Sequence, residues 1–174
     1  MSIFDFLRIA WLAQKIYNLV MSNYKSAIIL GMHDAIVSLT GLIAGLFFAF
    51  TDTNIIVISC VISSITASLS MGAANYLAVK STHHEIALKS ALCTGAAYMA
   101  TCILLILPFF VFSGRVITLL SIIAIAIGII FAFNFFFYRR QHFYKHFLEM
   151  LSICTTVSII AFAIGELAHS LFGI

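Results

Sequence analysis

Five blocks of nearly unbroken apolar sequence, each long enough to cross a bilayer as a helix, leave this chain few architectures. A helical span needs about 20 mostly apolar residues, and the blocks cover residues 28–50, 55–79, 90–112, 116–138 and 150–172. In hydrocarbon a helix satisfies its backbone groups internally, which an irregular segment cannot do. The chain is 63% hydrophobic and only 9% charged, whereas charged residues make up about a quarter of a soluble domain. The expected fold is therefore all-α and integral to a membrane. The breaks between blocks are TDTN, KSTHHEIALK, SGR and RRQHFYKHFLE, short enough to make neighbouring spans antiparallel. No loop could house a catalytic domain, and GxSxG, HExxH and P-loop motifs are absent, so no enzyme is expected.

Basic residues set the expected orientation. Arg8, Lys15, Lys25, Lys80, Lys89, Arg139, Arg140 and Lys145 fall on one side of the five blocks, and Arg115 falls on the other. The positive-inside rule then places the N-terminus in the cytosol and the C-terminus outside or in a lumen. Residues 1–27 mix Ile3, Phe4, Leu7, Trp11 and Leu12 with Asp5, Arg8 and Lys15. This pattern predicts an interfacial amphipathic segment ahead of a 28–174 transmembrane domain. The segment lacks the apolar core and small-residue cleavage site of a signal peptide. Pro108 is expected to kink the third span or to mark its end. The four cysteines, Cys60, Cys93, Cys102 and Cys154, lie inside apolar blocks with no CxxC pair and read as packing residues. No basic patch interleaved with aromatics suggests nucleic acid.

Polar residues inside the spans are the candidates for function. Asp34 lies well within the first block, where an ionised carboxylate is costly. At 3.6 residues per turn Asp34, Ser38, Gly41 and Gly45 share a face. Gly41 and Gly45 form a GxxxG pair, which lets helix backbones approach closely. On the second span Cys60, Ser64, Ala67, Met71 and Asn75 share a face. Met71 and Asp34 lie about equally deep from the same side, and a carboxylate with a thioether suits a borderline divalent metal such as Fe²⁺. On the fifth span Glu166 and His169 sit one turn apart toward the other side; they read either as a relay for protons or ions or as polar residues at a helix end. The loop residues His83, His84, Glu85, His142 and His146 read either as a cytosolic collecting point for metal or as ordinary interfacial residues.

Two of these stretches resemble the vacuolar iron transporter family. YKSAIILGMHDAIVSLTGLIAGL is similar to the family's first span, GxxDGLxxxxxLxxG, at Gly31, Asp34, Leu42 and Gly45. SLSMGAANYLAVKS is similar to the end of its second, SMxxGxYLxxKS, at Ser70, Met71, Tyr76, Leu77, Lys80 and Ser81. The resemblance implies a homodimer that moves Fe²⁺ or Mn²⁺ out of the cytosol in exchange for protons, with the first spans lining a path between subunits. The cargo ions and protons are the only small partners implied, and no resident cofactor is. Asp34 and Met71 would line the path, with His33, Ser38 and Asn75 completing the shell or holding water. Two facing carboxylates would hold protons when no metal is bound, because burial and like-charge repulsion disfavour the ionised pair; metal would displace those protons. The chain departs from the family where KSTHHEIALK replaces a helical metal-binding domain. Ser63 and Ala27 occupy positions often acidic, Ala35 and Ala74 stand for glycines, and Asn75 and His33 replace other polar residues. These departures keep a second reading open, a non-transporting membrane scaffold or regulator. The short loops favour a bacterial or archaeal plasma membrane over an organelle membrane.

Overall fold

The computed structural model describes residues 3–82, 84–112, 114–137 and 143–172. The elements are α1 (Ile3–Ala49), α2 (Thr53–Lys80), a 3-10 turn (His84–Ile86), α3 (Ala87–Ile106), α4 (Pro108–Val111), α5 (Arg115–Phe137) and α6 (Phe143–Phe172). Among the described residues there is no strand. Among the described residues, five segments are long and apolar enough to cross a membrane: Tyr24–Ala49, Thr53–Lys80, His84–Val111, Arg115–Phe135 and Tyr144–Leu171. The expected number holds, and the ends extend into the predicted loops. The first turns of α6 reach back through His146, which the sequence placed in a loop. Continuing the helix pairs backbone groups that a loop at this depth would leave to find other partners.

α1 is uninterrupted through the predicted boundary at residue 28. Its 47 residues span about 70 Å at 1.5 Å per residue, and the part from Tyr24 onward is the membrane-length piece. TDTN makes a turn because Asp52 caps α2, its side chain accepting from the Asn54 N–H at 2.8 Å. Pro108 is buried and starts α4 directly after α3. Lacking an N–H, it breaks the helical ladder one turn before the end of the third membrane-length segment.

Cross-helix contacts fix the topology. Gly41 faces Val157 and Gly45 faces Ala161, so α1 and α6 run parallel. Gly31 meets Thr94 and Ser38 meets Tyr98, so α1 and α3 also run parallel. Gly72 packs near Ala91 while Gly95 packs near Ser68, which makes α2 antiparallel to α3. Arg115 reaches Phe47 and Phe50 while Phe133 meets His33, so α5 runs against α1. The described bundle therefore alternates direction, and Lys25, Lys80, Lys89 and Lys145 gather at one end with Arg115 at the other.

The core forms around α1, where Ala35, Ile36, Leu39 and Ile43 pack with Ile56, Tyr98, Leu105, Ile122 and Ile130. Outside it, Ile58, Leu69, Phe110, Val116, Phe135 and Leu171 point away from the protein. In water such a surface would drive association; in a bilayer it faces acyl chains. The α1–α6 seam is close because it is built from small residues. A Cβ on Gly41 would stand 2.9 Å from Val157 Cγ1, one on Gly45 3.1 Å from the Ala161 carbonyl, and one on Gly165 would run into the Gly45 carbonyl.

Arg115 ties the far end of α1 to α5. Its Nη2 donates to the carbonyls of Phe47 and of Phe50, the latter at 2.7 Å, and its guanidinium lies 4.5 Å from the Phe47 ring centroid. The last carbonyls of a helix have no partners within it, and a cation there also opposes the helix dipole. Arg115→Gln is expected to lower stability by about 1–2 kcal/mol, read as a lower unfolding temperature of the detergent-solubilised protein; Arg115→Lys should recover part of it.

Candidate metal site in the membrane span

Asp34 lies on α1 between two stretches of different packing. Gly41 and Gly45, beyond it, are covered by α6 of the same chain. The residues at its own level are open: Leu30 and Ser38 are exposed and Asp34 is half-buried. These three are spaced by four and form one strip beside α3. The sequence places Asp34 and the glycine pair on one face, and they do share it. The structure divides that face, because α6 meets α1 at the glycines.

Thr94 of α3 sets the level of the two candidate ligands. It meets Gly31 of α1 and accepts a hydrogen bond from Asn75 Nδ2 of α2. Asp34 lies three residues beyond Gly31, and Met71 four residues before Asn75 on an antiparallel helix. Both are displaced from Thr94 in the same direction, by about 4.5 and about 6 Å along the axis. Met71 is half-buried against the core around Ala35 and Leu39.

Ser38 and Tyr98 form a directed pair. Ser38 Oγ donates to the Asp34 backbone carbonyl at 2.6 Å and lies 2.7 Å from the Tyr98 hydroxyl. A serine has one proton, so Tyr98 donates to Ser38. Tyr98 is buried and within electrostatic reach of the Asp34 carboxylate. Asn75 serves α2–α3 packing: its Nδ2 lies 3.2 Å from Ser90 Oγ and 3.3 Å from the Ser90 carbonyl, besides its bond to Thr94. Asn75→Leu is expected to cost about 1–2 kcal/mol, since interhelical hydrogen bonds in lipid are modest, measurable by thermal unfolding in detergent. His33 turns to another neighbour, its ring edge-on to Phe133 of α5 with centroids 4.8 Å apart.

The remaining candidates are scattered. Glu166 and His169 are exposed on α6, and no hydrogen bond or ion pair joins them among the described residues. Glu166 follows Gly165, which touches Gly45, so it stands about 18 Å along α1 from Asp34. His84 and Glu85 are exposed on the 3-10 turn, while His83 and His142 lie outside the described residues. His146 pairs with Glu149, Nδ1 to Oε2 3.2 Å, a partner the sequence reading did not single out. Among the described residues no three of His, Cys, Asp and Glu converge on one point within the chain. Sequence reasoning also missed Ser90, Thr94 and Tyr98, although polar groups recurring every four residues along the third span were a usable sign of a face turned to protein.

The comparison with known proteins bears on the same two helices. Residues 25–88 match the model of the VIT family. The matched stretch is 64 of the chain's 174 residues. The match supports membership of the vacuolar iron transporter family, whose members are transporters and not enzymes, and so supports a membrane protein that carries metal ions. It takes in Asp34, Met71, Ser38 and Asn75 and ends as α3 begins. No curated protein matches the chain.

Proposed function

We propose that two copies of this chain form a proton-coupled divalent-metal transporter, with Asp34 and Met71 taking Fe²⁺ or Mn²⁺ between the two first spans and passing it out of the cytosol. The observation that carries this reading is the open strip of Leu30, Asp34 and Ser38 inside a membrane-length helix. A charged carboxylate left facing lipid costs up to about 2.5–3.5 kcal/mol on insertion scales. A second copy packed on this strip would replace lipid by protein and bring two carboxylates to one two-fold axis. Two carboxylates balance a doubly charged ion where one does not, and Met71 adds a soft ligand at the same level. The same pair can hold protons in place of metal, which gives exchange its chemical basis.

The basic residues at one end orient that end to the cytosol by the positive-inside rule. His84, Glu85 and His146 then lie at the entrance, and Glu166 and His169 at the exit, where they could accept the proton or ion that leaves. The test is metal flux into proteoliposomes, wild type against Asp34→Asn. Flux in the wild type with loss in the variant supports the reading, and equal flux in both ends it. A scaffold would give no flux and no Asp34-dependent metal binding by calorimetry.

A further inference from the structure

A cavity of about 450 Å³ lies between α1, α5 and α6. Its α5 wall runs from Leu119 to Ile130 and its α6 wall from Leu151 to Phe162. Phe48 of α1 closes it beside Phe162, their ring centroids 4.5 Å apart. Thr40 and Thr155 also line it but donate to carbonyls of their own helices, so the walls present hydrocarbon. One side is open to the bilayer, where Ile123, Ile127 and Ile159 are exposed. From Leu119 to Ile130 the wall is about 16.5 Å long, close to the about 15 Å of hydrocarbon in one leaflet.

Charged groups stand where these walls end. Arg115 precedes Leu119 by one turn and Glu166 follows Phe162 by one turn, so each continues the stripe that lines the cavity. They reach about one level, since Gly165 meets Gly45 while Arg115 meets the Phe47 carbonyl. Arg115 Nη2 serves α1, and the Nε and Nη1 donors of the guanidinium have no partner among the described residues. No ion pair joins Arg115 to Glu166 among those residues, and Glu166 is exposed. A cation and a carboxylate thus flank the mouth of an apolar groove without satisfying each other.

We propose that this groove holds one phospholipid with an ethanolamine headgroup, drawn from the leaflet at the Arg115 end. One acyl chain fills the cavity, the phosphate accepts from Arg115, and the ammonium donates to Glu166. Charge complementarity selects this occupant. An anionic lipid would meet Arg115 equally well but set its excess negative charge beside Glu166. A choline lipid has the same phosphate, but its quaternary nitrogen has no N–H to give to a carboxylate. Charge-assisted hydrogen bonds to both groups are the strong kind, and the chain replaces a void among Ile and Phe side chains with van der Waals contact. Asp34 and any metal it binds have no part in this.

Native mass spectrometry of the delipidated full-length protein, titrated with phosphatidylethanolamine, phosphatidylcholine or phosphatidylglycerol of identical acyl chains, tests the site. One tightly held phosphatidylethanolamine per chain is expected in the wild type, preferred over each of the other two by about tenfold. Glu166→Gln, at an exposed position, should erase most of the preference over phosphatidylcholine. Ser158→Phe, which fills the cavity from α6, should weaken binding of all three by at least about tenfold. Equal binding of the three lipids by the wild type, or a preference untouched by Glu166→Gln, overturns the proposal. Photo-crosslinking of wild type with phosphatidylethanolamine carrying a diazirine in its acyl chain needs no variant to fold. Adducts concentrated on residues 119–130 and 151–162 support the groove, and equal labelling of the exposed Ile58 and Leu69 on α2 overturns it.

Discussion

Asp34→Asn is expected to abolish metal flux while leaving the fold in place. Asparagine keeps the shape of aspartate and removes its charge. The side chain is half-buried on an open strip, so the packed core around Ala35, Ile36 and Leu39 is not disturbed. In a two-fold assembly the substitution removes both carboxylates at once. A doubly charged ion then has no counter-charge in the span, and the site has no acid to exchange for a proton. Loss of an outer-shell partner alone costs about 10–100-fold in metal affinity, so loss of the charged ligand should lower flux by at least about a hundredfold. The check is proteoliposome uptake measured with and without an imposed pH gradient. Wild-type flux should respond to the gradient, and the variant should show neither flux nor response. The Ser38–Tyr98 hydrogen bond would survive, because Ser38 donates to the backbone carbonyl of residue 34 and not to its side chain. Unfolding temperature should therefore stay near that of the wild type.

The largest effect on stability is expected from Gly165→Leu. A Cβ at this position meets the backbone carbonyl of Gly45, and backbone cannot swing aside as a side chain can. The two helices would have to separate along a seam that also holds Gly41 against Val157 and Gly45 against Ala161. Overpacking of this kind costs about 3 kcal/mol, and in lipid the lost van der Waals contact is not recovered by a hydrophobic gain, since acyl chains are as apolar as leucine. Thermal unfolding in detergent should show a clear drop, with loss of the monodisperse peak on sizing. Gly128→Leu is the matched control. That glycine has nothing within 4 Å of an added Cβ, so stability should stay within about 0.5 kcal/mol of wild type. A comparable loss in both variants would mean that the α1–α6 seam is not what Gly165 provides.

Asp34 and Met71 show how far the sequence could be followed. Their common level needed only the 1.5 Å rise of a helix and an antiparallel return, and the cross-helix contacts at Thr94 agree with it. His33 and Asn75 show where that reasoning stopped. Both were polar residues near the right depth, but depth does not give direction around the helix axis. Phe133 takes the His33 ring, and Ser90 and Thr94 take the Asn75 amide. The glycine pair was legible as a close seam, and its partner was not. Gly165 lies 120 positions beyond Gly45 in the chain and carries no pattern that pairs the two.

The number of spans, their alternation and the gathering of lysines at one end belong to the sequence, because length and hydrophobicity alone decide what can cross hydrocarbon and where a charge must stop. The neighbour of each helix face belongs to the tertiary structure. In a soluble protein an apolar stripe marks the face that turns inward; here nearly every face is apolar, and lipid is as good a solvent for it as protein is. Which face packs is settled by the fit of small residues and by hydrogen bonds between chain segments far apart. Such terms exist only once the helices stand side by side, as when α6 covers Gly41 and Gly45 and leaves Asp34 open.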